Sequence, residues 1–251
     1  MLEYVLEVWK ECLVVVKFRK YEVIKQVAHS KKVLSMGEEY GWLPGARYTN
    51  LRDIKSFDKI GFIDIDWKNY DFKKHLEAVK AVNPIFTIAR DIEDLNELDE
   101  ILSEAAELSL YADNVLIVPK DTKMTGRFEE LIPKEFLLGY SVPSKYGGTE
   151  IPPYSFDRPV HLLGGRPDVQ RKLAELMPVV SFDCNRFTLD ARFGDYFDGN
   201  RFIKHPIGGY ETCLRESFQN INLLWEDYTV KESETIVRRR EAQERILVKN
   251  V

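Results

Sequence analysis

The chain has 251 residues, 44% of them hydrophobic and 31% charged, with a net charge of −5 and an isoelectric point near 5.6. This suits one large globular domain and excludes an overall basic coat for nucleic acid, a low-complexity chain and, with only three well-separated cysteines, a disulfide framework or a zinc cluster. Apolar runs such as Cys12 to Val16 are too short to span a bilayer, and Glu3, Glu7 and Lys10 interrupt the N-terminus as no signal peptide does, so a cytoplasmic protein without membrane contact is expected.

In chain order, residues 1–30 form an N-terminal extension in which Tyr4, Val5, Val8 and Trp9 precede a strand from Cys12 to Phe18. Lys32 to Met36 reads as the first strand of the main sheet. The following seventeen residues, GEEYGWLPGARYTNLRD, read as a loop. Loops of that length are usually functional, so Trp42, Tyr48, Asn50 and Arg52 either line a pocket or cover the end of the fold. Ile60 to Ile65 is a strand whose alternation sets Phe62, Asp64 and Asp66 on one side. A helix covers Phe72 to Val82 with Asp71 as its N-cap. Ile85 to Ala89 is a strand ending at Arg90-Asp91, and a helix follows from Asp94 to Leu110. Asn114 to Pro119 is a strand with Lys120 at its end. Glu135 to Ser141 is another, carrying Gly139 and Tyr140, and an eighteen-residue Pro/Gly loop leads from it to Pro159.

The central stretch is Pro159 to Phe187. An apolar run delivers Gly164 and Gly165, a helix follows with Val169, Leu173, Leu176 and Met177 at helical spacing, and a second apolar run delivers Asp183. Two parallel strands joined by a helix result. Residues 190–206, with Phe193, Tyr196, Phe197 and Phe202, supply a last strand or hairpin. Glu211 to Trp225 is a helix with Leu214, Phe218, Ile221 and Leu224 on one face, within a C-terminal helical part spanning 208–251. The tract RRREAQER reads as a solvated helical face.

The fold expected is α/β, a single (β/α)8 TIM-like barrel, compact or slightly degenerate. In such a barrel all strands end on one face, where catalytic groups gather. Asp64, Asp91 and Asp183 therefore fall on one rim, with Asp66 a rival to Asp64. Taken singly, each has a plainer reading: Asp183 caps the next segment or pairs with Arg186, and Asp91 is a helix N-terminal acid.

His161-Leu162-Leu163-Gly164 followed by Phe182-Asp183-Cys184 resembles the guanine transglycosylases, which exchange a guanine base for a 7-deazaguanine. The resemblance covers roughly Lys32 to Trp225, and its specific residues lie between Phe62 and Phe187. It implies that Asp183 is the nucleophile, Asp64 the acid–base partner, and Asp91 the group that accepts the two adjacent donors of a guanine-like base. Asp66 stays a rival because Ile65-Asp66-Trp67 replaces the family's small residues. It also implies base-binding turns at Gly139-Tyr140 and at Gly164-Gly165. The family's Gln-Gly-Gly is replaced by Pro119-Lys120-Asp121, which leaves Lys120 as a phosphate contact or an exposed lysine.

The loop wording VPS-YGGT is similar to the branch, found in viruses and bacteria, that installs 7-deazaguanines in DNA. Lys145 would meet phosphate there and Tyr146 would stack on a base. Arg186 stands near the Pro-Thr-Arg element of the tRNA enzymes and is a further phosphate contact. Only Cys213 lies where those enzymes carry a zinc site, so no zinc subdomain is expected.

The implied activity is base exchange through a covalent Asp–sugar intermediate, with no metal or redox cofactor. The implied partners are DNA in preference to tRNA, bound through a local basic groove, and a base such as preQ0 or preQ1. Two alternatives stay open: a glycosylase that releases the base to water, and an inactive barrel that binds nucleic acid.

Overall fold

The computed structural model describes residues 23–144 and 147–229. The strand read at Cys12 to Phe18, the loop residues Lys145 and Tyr146, and the RRREAQER tract lie outside these residues.

Eight parallel strands close into a barrel. They are β1 (Ile24–Ala28), β2 (Leu43–Arg47), β3 (Phe62–Asp64), β4 (Phe86–Ile88), β5 (Asn114–Ile117), β6 (Leu137–Ser141), β7 (Val160–Leu163) and β8 (Val179–Asp183). Pairing of β8 with β1 completes the ring, with Gln26 opposite Asp183. The helices are α1 (Lys31–Glu39), α2 (Phe72–Val82), α3 (Leu98–Leu108), α4 (Phe128–Leu131), α5 (Pro167–Leu173), α6 (Arg186–Ala191) and α7 (Tyr210–Glu226). A two-stranded antiparallel ribbon, β9 (Asp195–Phe197) with β10 (Phe202–Lys204), realises the hairpin option between α6 and α7.

The first third of the barrel differs from the sequence reading. The run Lys32 to Met36 is not a strand but part of α1, and the first strand, β1, falls within the stretch read as an extension. A short apolar run has no period long enough to separate helix from strand. Here the helix is favoured because it buries Val33, Leu34 and Met36 and sets Gly37 where an added Cβ would lie 3.1 Å from Val27 and 3.2 Å from the Phe218 ring. The stretch read as one long loop contains β2. Its Pro44 lacks a donor, but the Pro44 carbonyl still accepts the Gly61 N–H at 2.8 Å, so the parallel pairing holds on that side.

Elsewhere local chemistry and fold agree. Asp71 accepts the Lys74 N–H at 3.2 Å and starts α2, while Asn83, in the left-handed conformation, ends it before Pro84. Trp42 is buried between barrel and helices, edge-on to Phe182, Phe187 and Phe218. It donates to Asn222 Oδ1 at 2.9 Å and covers the barrel wall instead of lining a pocket. Tyr48 is likewise buried, donating to the Asn69 carbonyl at 2.9 Å. Among the described residues no helix is long and apolar enough to cross a membrane.

Candidate active site at the carboxyl-terminal mouth

Strand alternation decides what faces the barrel interior. On β3 the inward residues are Phe62 and then Asp64; on β7, His161 and then Leu163; on β8, beyond a register shift at Val160/His161, Ser181 and then Asp183. Asp64, Asp91 and Asp183 line one cavity of about 860 Å³ at the strand ends, together with Ile88, Leu163, Gly164 and Gly165. Three carboxylates 119 residues apart in sequence (64 to 183) thus share one space.

The surroundings of these acids differ. Burial pushes the Asp64 carboxyl up to about 7, and the nearby Asp183 charge adds to the effect. The Ile65 N–H donated to its Oδ1 at 2.8 Å, and Arg47, pull the other way and are outweighed. Near neutral pH a large share of Asp64 therefore carries a proton that it can give.

Asp183 is fixed by backbone. Its Oδ1 accepts the Gly164 N–H at 2.9 Å, and among the described residues its Oδ2 accepts no hydrogen bond. Gly165 stands at φ +93°, and a Cβ there would lie 2.5 Å from Val142, so this close turn admits glycine alone. The turn is clamped by Gln170 of α5, fully buried, whose Nε2 donates to the carbonyls of Gly164 (2.7 Å) and Asp183 (2.8 Å). Cys184, next in the chain, is buried with its thiol pushed up to about 12, so it is an inert neighbour.

Asp91 pairs with Lys120 at 2.5 Å, and Lys120 also reaches Glu93 at 3.3 Å. Burial raises the Asp91 carboxyl against the pull of Lys120. Burial opposes the Lys120 charge, but Asp91 and Glu93 outweigh it and the ammonium is held more firmly. Lys120 is thus the counter-ion of the base-binding candidate, not a free cation awaiting phosphate.

The remaining expected residues divide. Gly164 and Gly165 line the cavity; Gly139 and Tyr140 do not. A Cβ on Gly139 would come 2.6 Å from Val118, so that glycine serves packing inside the barrel. Tyr140 points to the opposite side of β6 and packs edge-on against Phe156. Ser141, one residue on, returns to the cavity side, which the period of two predicts. Asp66 lies beyond the end of β3 and outside the cavity, its Oδ1 accepting the Lys68 N–H in a turn. Arg186 makes a two-pronged contact with Asp190 at 2.7 and 2.8 Å and lines neither this cavity nor the next.

Several lining residues escaped the sequence reading. Glu93, Glu97 and Glu150 join the three aspartates, with Arg90 and Lys120 as the cations among the described lining residues, so the described lining is rich in acid. Arg90 is itself occupied, facing Glu97, Glu100 and Glu104 at 3.6, 2.9 and 3.2 Å. A second cavity of about 490 Å³ shares Asp64 as its wall and carries Arg47, His29, Asn50 and Asn185. No group of three or more His, Cys, Asp or Glu among the described residues is arranged to hold a metal ion.

A closed eight-stranded parallel barrel with carboxylates converging at its carboxyl-terminal mouth defines the class: a (β/α)8 protein with an acid-lined cavity. Within that class the chain belongs to DUF6610, described as a family of unknown function, whose family model matches residues 37–226. That span starts inside α1 and runs through α7, so it includes all three carboxylates. No curated protein matches the chain.

Proposed function

We propose that the protein exchanges a guanine base in nucleic acid, DNA in preference to tRNA, for a 7-deazaguanine. The observation that carries the reading is the pairing, in one cavity, of a carboxyl pushed up to about 7 (Asp64) with a second carboxylate whose Oδ1 is held by backbone and whose Oδ2 is open (Asp183). In the first half-reaction Asp183 Oδ2 bonds to the anomeric carbon as the glycosidic C–N bond breaks. The bonding pair leaves with the base, and Asp64 supplies the proton that neutralises it. In the second half the incoming base gives its N–H proton to Asp64, its nitrogen takes the anomeric carbon, and Asp183 is displaced. Protons and charge balance without a further reactant.

Asp91 faces the same cavity and suits the paired N–H donors of a guanine-like edge, with Lys120 holding it in place. Lys145 and Tyr146 remain proposed contacts to the polymer.

The reading is tested by incubating the protein with guanine-labelled DNA or tRNA and a set of 7-deazaguanines, then measuring label release alongside incorporation by mass spectrometry. Release coupled to incorporation supports exchange. Release that leaves abasic sites without any incoming base would replace exchange by hydrolysis, and no release from either polymer would refute both.

A further inference from the structure

His161 lies on β7 with its side chain fully buried, at a level of the barrel interior where its ring neighbours are Phe62 (centroids 5.2 Å apart) and Phe86 (5.9 Å). A leucine or phenylalanine would fill that place without polar atoms. Instead, the Nδ1 atom of His161 sits 2.8 Å from Ser181 Oγ, and its Nε2, buried and without a hydrogen-bond partner, faces Asp183 Oδ1 at 3.6 Å. A buried polar atom left unpaired weakens the fold, so it calls for a compensating use.

The partners select the tautomer. If the Ser181 hydroxyl donates to Nδ1, the ring proton is on Nε2 and points at Asp183. The other tautomer would aim a lone pair at a carboxylate oxygen, which is repulsive. Oδ1 of Asp183 is thereby approached by two N–H groups, hydrogen-bonded to that of Gly164 at 2.9 Å and facing that of His161 at 3.6 Å.

We propose that His161 is a positioning residue for Asp183: with its tautomer set by Ser181, its Nε2–H keeps Oδ1 turned into the barrel so that Oδ2 alone faces the cavity. The role rests on the base-exchange reading, in which Oδ2 is the attacking atom. When Oδ2 bonds to the sugar, Oδ1 becomes the ester carbonyl oxygen and keeps the same two neighbours.

The test combines kinetics with a readout that needs no turnover. Formation of the covalent adduct with a guanine-containing single-stranded DNA is followed by intact-protein mass spectrometry for the parent, His161→Leu, His161→Gln and Ser181→Ala. Ring-nitrogen NMR is recorded on the full chain and on Asp183→Asn. His161→Leu is expected to slow adduct formation about tenfold, with oligonucleotide affinity unchanged. His161→Gln, which retains an N–H donor, recovers most of the rate, and Ser181→Ala falls between.

The spectra should show the ring proton on Nε2, with that nitrogen shifting in Asp183→Asn. Adduct formation by His161→Leu at the parent rate, or a ring protonated on Nδ1, overturns the proposal. If the parent itself forms no adduct with DNA or RNA, the base-exchange reading is what fails, and the spectra then decide the His161 geometry independently.

Discussion

The two sides of the barrel mouth carry the same functional group and treat it differently. On the β7–β8 side, Asp183 is set by geometry: a backbone N–H from Gly164, a buried Gln170 clamping two carbonyls, and His161 beneath. On the β3–β4–β5 side, Asp64 and Asp91 are set by electrostatics: burial raises both, Asp183 pushes Asp64 further, and Lys120 restrains Asp91. One side orients a carboxylate and the other tunes two, which is how like side chains take unlike roles in one cavity.

The largest effect that would break this contrast is removal of the oriented group. Asp183→Asn should lower adduct formation by about a thousandfold or more, measured by intact mass, because no neighbouring carboxylate shares its backbone hold. Asp64→Asn should cost about a hundredfold in the step that releases the base, since an amide cannot donate the proton. In the parent that step should decline as pH rises through about 7, where Asp64 loses its proton, and this limb should vanish in Asp64→Asn.

Stability gives a matching signature. The folded-state value for Asp64, about 7, lies above its ordinary 3.8. The unfolded chain therefore releases this proton first as pH rises. The contribution of Asp64 to stability is fully present below about 4 and is lost as pH climbs through about 7, and Asp64→Asn should remove that slope in urea titrations across the same window.

Smaller effects sharpen the comparison. Gln170→Ala should destabilise the fold by about 2–3 kcal/mol in denaturant melts, through a lost clamp and a cavity under the Gly164 turn. Lys120→Met should cost about 1–2 kcal/mol at neutral pH, because the partly buried Asp91 is left without its counter-ion. That loss should shrink as pH falls and Asp91 takes up a proton.

Most of the barrel was legible because local chemistry agreed with the final fold. Asp71 and Asn83 bracket α2 as expected and the strand delivering Asp183 ends there, while the strand read over Ile60 to Ile65 shortens to Phe62–Asp64. The departures fall where local signals conflict: Pro44 and Gly45 argue against a strand that barrel closure nevertheless demands, and Lys32 to Met36 is too short to display a period. In the site, the three aspartates could be found as strand-end acids, whereas strand alternation sends Ser141 and not Tyr140 to the cavity. The engagement of Lys120 with Asp91, and of Arg186 with Asp190, has no signature in spacing that separates it from phosphate binding.

The sequence by itself determined the barrel class and the carboxylates at its strand ends, because hydrophobic period and position within a strand are local properties. Only the tertiary structure decided which acid is held and which is tuned. A pKa raised by burial, a carbonyl clamp from α5 and a histidine facing Asp183 arise from groups brought together across the chain, and distance in space, not in sequence, sets their energies.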